Sequence, residues 1–141
     1  MARVLIATSR YYEKISLEME AGAQEILDAF DCKTETIIVP GAFELPGVIA
    51  MAADSARWDG YIALGCVVRG ETSHYDYVCG ESARGLMDLS VQRRLAIGYG
   101  ILTVENQDQA WVRADRQQKN KGKDAAEACL SMLEFRKKFV R

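Results

Sequence analysis

Four short apolar runs alternate with segments of helical periodicity along this chain, and that alternation constrains its fold more than any other feature. The runs span residues 3–8, 35–39, 60–68 and 96–104. The first run is a continuous stretch of apolar residues, which is typical of a strand buried on both faces. Strands that alternate strictly with helices predict a parallel sheet with right-handed crossovers.

Five helices are predicted between and after these runs. Apolar residues recur at helical spacing over residues 15–30, which predicts a first helix of about five turns. A second helix is marked over residues 45–56, and a third ends near Arg94. After the fourth strand, a short helix is predicted over "QDQAWVRA" and a last one from about Asp124.

This order of elements predicts an α/β protein. We expect a single domain over residues 1–141, with a four-stranded parallel sheet flanked by helices on both faces, as in a flavodoxin-like three-layer sandwich. In such sheets, ligands bind beyond the carboxyl ends of the strands. The turns "SRYY", "PGAFE" and "RGETSH" at that edge carry aromatic, charged or histidine residues where plain turn residues would suffice. The sequence therefore predicts a ligand site there.

The turn "RGETSH" has the features of a phosphate seat beside a proton-transfer group. Gly70 lets the backbone approach a ligand closely, and the hydroxyls of Thr72 and Ser73 can cap the next helix. Ser73 and the acidic residue three positions later match a capping box, and Arg69 adds positive charge. His74, the chain's one histidine, would stand in the first helical turn and could move protons near pH 7. The alternatives are an ordinary capped helix and a surface or core histidine.

Two aromatic residues and a basic segment add to the candidate chemistry. Tyr11 and Phe43 both follow predicted strands, so they could enclose a flat heterocycle, with Glu44 bound to its polar rim. Phe43 could instead pack over the end of the sheet. The basic segment from Arg113 to Lys123 is typical of a solvated loop, although it could place one or two cations on an anionic ligand.

Charge and cysteine content exclude several classes of function. The formal net charge is −2, so no global basic field favours nucleic acid or membrane. Four cysteines without a C-x-x-C pair, and one histidine, argue against a metal site and favour reduced, buried thiols. The N-terminus lacks the apolar region and cleavage site of a signal peptide, so we expect a cytoplasmic protein.

The segments "PGAFELP", "GCVVRGETSHYDYV", "GYGILTVEN" and "NKG" occur in the order and spacing found in lumazine synthases, and the whole chain resembles that family. The resemblance implies condensation of 5-amino-6-(D-ribitylamino)uracil with 3,4-dihydroxy-2-butanone 4-phosphate, the penultimate step of riboflavin biosynthesis. It implies no metal and no organic cofactor. The implied assembly is a homopentamer, alone or as twelve pentamers in a shell, with active sites shared between neighbouring identical subunits.

The resemblance also assigns each candidate site residue. The pyrimidine and its ribityl chain would be held by one set: Tyr11, Ala42, Phe43, Glu44, Val67 and Val68. The phosphate would lie on Gly70, Glu71, Thr72 and Ser73, beside the proposed proton-transfer residue His74. A neighbouring subunit would contribute Tyr99, Arg113 and Lys121.

Two positions leave an alternative function open. The family often has a lysine where Gln117 stands and an acidic residue where Val112 stands, and Arg116 could replace the lysine. The alternative is a lumazine- or flavin-binding or shell-forming protein of the same fold without turnover. An FMN electron carrier is less favoured, because "ATSRYYEK" lacks the hydroxyl- and glycine-rich phosphate loop expected after the first strand.

Overall fold

The four predicted strands form one sheet in the computed structural model, which describes residues 1–140. They are β1 (Arg3–Ser9), β2 (Lys33–Val39), β3 (Gly60–Val68) and β4 (Ala96–Val104). All are parallel, in the order β2-β1-β3-β4. β3 and β4 have the predicted bounds. β2 begins two residues earlier than expected, because its polar first residues pair with the start of β1 at the edge of the sheet.

Five helices connect and follow the strands, as predicted. They are α1 (Glu13–Ala29), α2 (Leu45–Asp54), α3 (His74–Arg93), α4 (Gln107–Ala114) and α5 (Lys121–Phe139). α5 begins before the expected Asp124, because Asn120 adopts a left-handed conformation (φ 47°) and the helix starts directly after it. No helix within residues 1–140 has the length and apolar character needed to cross a bilayer.

Helices cover both faces of the sheet, which confirms the three-layer α/β sandwich. Alternate residues of β1 serve different cores: Val4 and Ile6 pack with residues of α1 and α5, whereas Leu5 and Ala7 pack with residues of α2 and α3. Both cores are apolar, and all four of these side chains are almost fully buried. The continuous apolar run of β1 therefore reflects two cores, one on each face of the sheet, whereas the edge strand β2 is buried only at Val39.

The strand order places a crevice at the centre of the sheet. From β1 the chain crosses outward to β2, and from β3 it crosses in the opposite direction to β4. The turns that leave β1 and β3 therefore diverge at the carboxyl end of two adjacent strands. This reversal is where ligands bind in open α/β sheets.

Candidate active site

A cleft of about 710 Å³ opens at that end of the sheet, where the turns after β1, β2 and β3 meet. Its size suits a small organic ligand. Most of the predicted site residues line it: Tyr11, Ala42, Phe43, Glu44, Val67, Val68, Gly70, Thr72 and His74. The structure thus brings residues that are far apart in the sequence to one cleft at the predicted edge.

Two exposed aromatic rings border the cleft. Tyr11 is 75% exposed and Phe43 is 54% exposed. Tyr12 packs edge-on against Tyr11, with ring centroids 5.0 Å apart. Phe43 follows β2 in a single 3₁₀ turn, Ala42–Glu44, and its ring lines the cleft instead of being buried over the sheet end. Both rings are available to contact a flat ligand.

The carboxylate of Glu20 holds the turn between β1 and α1, which carries Tyr11, and sequence analysis did not predict this role. Glu20 of α1 accepts hydrogen bonds from Thr8 Oγ1 (3.1 Å) and from Arg10 Nε (3.0 Å) and Nη2 (2.7 Å). The hydrogen bond to Glu20 raises the pKa of Arg10, so the guanidinium stays charged. No sequence motif marks this pair, because α1 brings the two residues together only once it packs on β1.

The corner between β3 and α3 has the predicted glycine and hydroxyl groups, but the predicted capping box is wrong. Thr72 Oγ1 accepts a hydrogen bond from the backbone N–H of His74 (3.3 Å). Ser73 has helical backbone angles, and within residues 1–140 its hydroxyl makes no capping bond; its carbonyl accepts from the Asp76 amide (3.0 Å). A Cβ on Gly70 would meet no described atom within 4 Å, so this position leaves open space for a ligand.

His74 begins α3, lines the cleft and is exposed, so it is not a core histidine. Glu71 and Ser73 are also exposed, but they are not among the residues that line the cleft. Tyr75 and Tyr77, on either side of the next acidic residue, do line it. The sequence analysis did not assign these tyrosines to the site. Their position directly after His74 in "HYDYV", at the start of a helix, could have indicated that they line the cleft.

Three more predicted residues, those expected to serve a neighbouring subunit, lie outside the cleft of their own chain. Tyr99 is half-exposed on the edge strand β4, where burial raises its pKa and the nearby Cys79 thiol and Tyr75 phenol raise it further. Arg113 is in the last turn of α4, and its Nη1 donates to the Gln109 carbonyl (3.0 Å). Lys121 starts α5 and pairs with an aspartate of the same turn (3.2 Å).

Arg116, which could replace the lysine at position 117, is engaged by α1 within its own chain. Its backbone N–H and Nε donate to Glu18 Oε2 (2.9 and 3.2 Å), and its Nη1 donates to Glu25 Oε1 (2.6 Å). The backbone hydrogen bond from Arg116 lowers the pKa of Glu18, and the hydrogen bond to Glu18 raises that of Arg116. These contacts make Arg116 a structural link between the basic segment and α1.

The cysteines offer little nucleophilic chemistry. All four are free; Cys66 and Cys129 are buried as expected, whereas Cys32 and Cys79 are only partly buried. Cys66 lines the floor of the cleft, and burial raises its pKa to about 11, so its thiol is protonated and unreactive at neutral pH. No three His, Cys, Asp or Glu side chains gather as a metal-binding group within residues 1–140.

Comparison with known proteins identifies the family. Residues 1–137 match the sequence model of 6,7-dimethyl-8-ribityllumazine synthase. The chain is 53% identical over 137 residues to the protein of that name from Bartonella tribocorum, covering 96% of this chain and 91% of the relative. It is 51% identical over 139 residues to that from Sphingopyxis alaskensis, covering 99% and 98%. With a cleft of the expected composition at the expected edge of the sheet, the chain belongs to the 6,7-dimethyl-8-ribityllumazine synthase family.

Proposed function

We propose that this protein condenses 5-amino-6-(D-ribitylamino)uracil with 3,4-dihydroxy-2-butanone 4-phosphate to 6,7-dimethyl-8-ribityllumazine, releasing phosphate and water. This reaction is the penultimate step of riboflavin biosynthesis. One observation carries the proposal: in a chain of this family, two exposed aromatic rings and the His74 corner line the same cleft.

The aromatic side of the cleft suits the pyrimidine substrate. Tyr11 and Phe43 present exposed rings that can contact a flat heterocycle, and Glu44 can accept hydrogen bonds from its N–H groups or from ribityl hydroxyls. Val67 and Val68 end β3 at the cleft, where their backbone groups can bind the polar rim of the uracil. Placing the amine beside the butanone carbonyl accounts for much of the rate gain, because orientation alone can supply up to about 7–11 kcal/mol.

The β3–α3 corner suits the phosphate substrate. Gly70 leaves open space, Thr72 carries a hydroxyl at the cleft, and the first N–H groups of α3 favour an anion. His74 stands on the same corner, so it can move a proton as the imine forms and as phosphate leaves. Such a proton shuttle contributes about 100-fold or more to the rate.

A homopentamer with shared active sites is part of the proposal. Tyr99, Arg113 and Lys121 lie outside the cleft of their own chain, which suits residues that serve a neighbour. α3 also buries only Val78, Ser82 and Leu86 out of 20 residues, and leaves large apolar side chains such as Met87 exposed. A helix so exposed is expected to pack against another subunit.

The proposed compartment is the cytoplasm. The chain carries four free thiols, two of them only partly buried, and thiols remain reduced in that compartment.

A coupled assay tests the proposed function. Both substrates are mixed with the protein, and the lumazine chromophore and free phosphate are measured together; omission of the butanone phosphate is the control. Equal amounts of lumazine and phosphate are expected. Tight binding of lumazine or riboflavin without turnover would instead support the non-catalytic binding protein.

Tyr11 is predicted to tune the affinity for flavin-like ligands. Stacking on a heterocycle is worth about 0.5–1.5 kcal/mol beyond area burial, and tryptophan offers more area than tyrosine, so Tyr11→Trp should tighten riboflavin binding by several-fold at most. Turnover should fall as product release slows. Tyr11→Ala should weaken pyrimidine binding and leave use of the phosphate substrate nearly unchanged. Fluorescence titration measures the riboflavin affinity of wild type, Tyr11→Trp and Tyr11→Ala. Equal affinities would show that Tyr11 does not contact the ligand.

A further inference from the structure

Arg69 is engaged by protein groups beside the cleft. Its Nε donates to Glu105 Oε2 at 2.6 Å, and its Nη1 lies 3.6 Å from Asp76 Oδ1. Its guanidinium also lies over the ring of Tyr75, 4.3 Å from the centroid. Gly70, the next residue, lines the cleft, whereas Arg69 is not among the lining residues.

The positive charge of Arg69 is already offset by neighbouring carboxylates. One guanidinium faces two carboxylates, and the hydrogen bond to Glu105 raises the pKa of Arg69, which favours its charged form. A phosphate bound to Arg69 would meet the repulsion of two nearby carboxylates. The sequence-based expectation that Arg69 adds charge to the phosphate seat is therefore replaced by a structural role.

The contacts of Arg69 connect three segments around the proposed active site. Its backbone N–H donates to the Val104 carbonyl (2.9 Å), which extends the pairing of β3 with β4 by one bond. Its side chain then bridges Glu105, directly after β4, to Tyr75 and Asp76 in the first turn of α3. The bridge therefore fixes the ends of β3 and β4 and the first turn of α3 relative to one another.

His74 depends on this first turn for its position. Within residues 1–140, its imidazole makes no hydrogen bond, and its backbone N–H donates to Thr72 Oγ1 (3.3 Å). The two residues that follow it are the ones that Arg69 contacts. A shift of this turn would move the imidazole directly, because no other polar contact holds the ring.

We propose that Arg69 is a positioning residue, which together with Glu105 sets the place of His74 relative to β4. The proposal rests on the proton-transfer role proposed above for His74. The planar fork of an arginine can bind Glu105 and lie on the Tyr75 ring at the same time, which a lysine cannot do. Arg69→Lys should therefore restore only part of the effect.

The test uses untagged, assembled protein, because His74 is the chain's one histidine and gives the only histidine ring signals in its NMR spectrum. The variants are Arg69→Gln, Arg69→Lys, Glu105→Gln and the Arg69→Gln/Glu105→Gln double variant. Arg3→Gln is the matched control: Arg3 pairs with Asp59 at 3.3 Å, is similarly exposed, and lies at the opposite end of the sheet. Steady-state kinetics and the His74 chemical shifts are measured on each protein.

Arg69→Gln is expected to lower kcat about tenfold, with KM for the pyrimidine changed by less than about twofold, since misplacement of a catalytic group affects turnover and not uniform binding. The His74 ring signals should move in the same variant. Glu105→Gln should have a similar effect, and the double variant should be no worse than either single variant because the two residues act as one unit. Arg3→Gln should change neither measurement.

Unchanged kcat and unchanged His74 signals in Arg69→Gln would overturn the proposal. A fall in kcat with unmoved His74 signals would also overturn it and assign Arg69 to substrate binding. If Arg69→Gln fails to assemble, Arg69→Lys and Glu105→Gln are compared with wild type by the same two measurements, kcat and the His74 ring signals, and unchanged values would overturn the proposal. Should the wild type show no turnover, the proposed function fails, but the His74 signals still show whether Arg69 and Glu105 position that ring.

Discussion

Mixed assemblies of Arg113→Ala and His74→Ala subunits are expected to recover activity that neither variant has alone. His74→Ala should lower kcat about 100-fold through loss of proton transfer. Arg113→Ala should raise KM for the butanone phosphate about 10- to 100-fold through loss of a charge-assisted hydrogen bond, while pyrimidine binding changes little. Recovery follows if one cleft takes His74 from one subunit and Arg113 from its neighbour.

The size of the recovery follows from symmetry. Arg113 ends α4, beyond the edge strand β4, and it does not line the cleft of its own chain. In a random one-to-one mixture of a closed ring, about a quarter of the boundaries would combine intact His74 with intact Arg113. Activity near that fraction of the wild-type value is therefore expected once subunits have exchanged.

The matched control replaces one partner by the double variant His74→Ala/Arg113→Ala. Such mixtures contain no boundary with both residues intact, so their activity should stay at the level of the single variants. Native mass spectrometry confirms that subunits have mixed. Verified mixing of the two single variants without recovery would contradict the shared site.

The layout of the fold could be predicted because its signals are local. Each strand is a short apolar run, and each helix except the start of α5 carries its own apolar periodicity. The first turn of α5 was missed because its early start depends on the left-handed Asn120 and a glycine contact with α1, and neither leaves a periodic pattern.

The cleft could be predicted for a similar reason, whereas its supporting ion pairs could not. Carboxyl ends of parallel strands converge at one edge, so the turns holding Tyr11 and Phe43 were expected to meet the His74 corner. The pair of Arg69 and Glu105 spans 36 residues and exists only because β4 lies beside β3. Such pairs follow from strand order, and the residues themselves look like ordinary surface charges.

Gly122→Ala is expected to destabilise the protein by about 2–3 kcal/mol, because overpacking against backbone cannot be relieved by a rotamer change. A Cβ on Gly122 would lie 2.1 Å from the Met19 carbonyl oxygen of α1. The approach is reciprocal, since a Cβ on Gly22 of α1 would lie 2.4 Å from Asn120 Oδ1. The glycine of "NKG" is therefore required for α5 to pack on α1. Urea unfolding with wild type alongside measures the difference.

Two further variants separate the structural and functional parts of this motif. Gly47→Ala is the matched control: Gly47 also lies in a first helical turn, no described atom lies within 4 Å of its Cβ position, and a gain of about 0.5 kcal/mol is expected. Lys121→Ala should leave unfolding nearly unchanged, since its exposed pair with Asp124 contributes little, but should weaken use of the phosphate substrate. Equal stability of Gly122→Ala and Gly47→Ala would contradict the close packing of α5 on α1. We expect Gly122→Ala to lose stability and Lys121→Ala to lose activity without losing stability. That pair of results would mean that the glycine holds α5 in place, so that the lysine can reach the cleft of a neighbouring subunit.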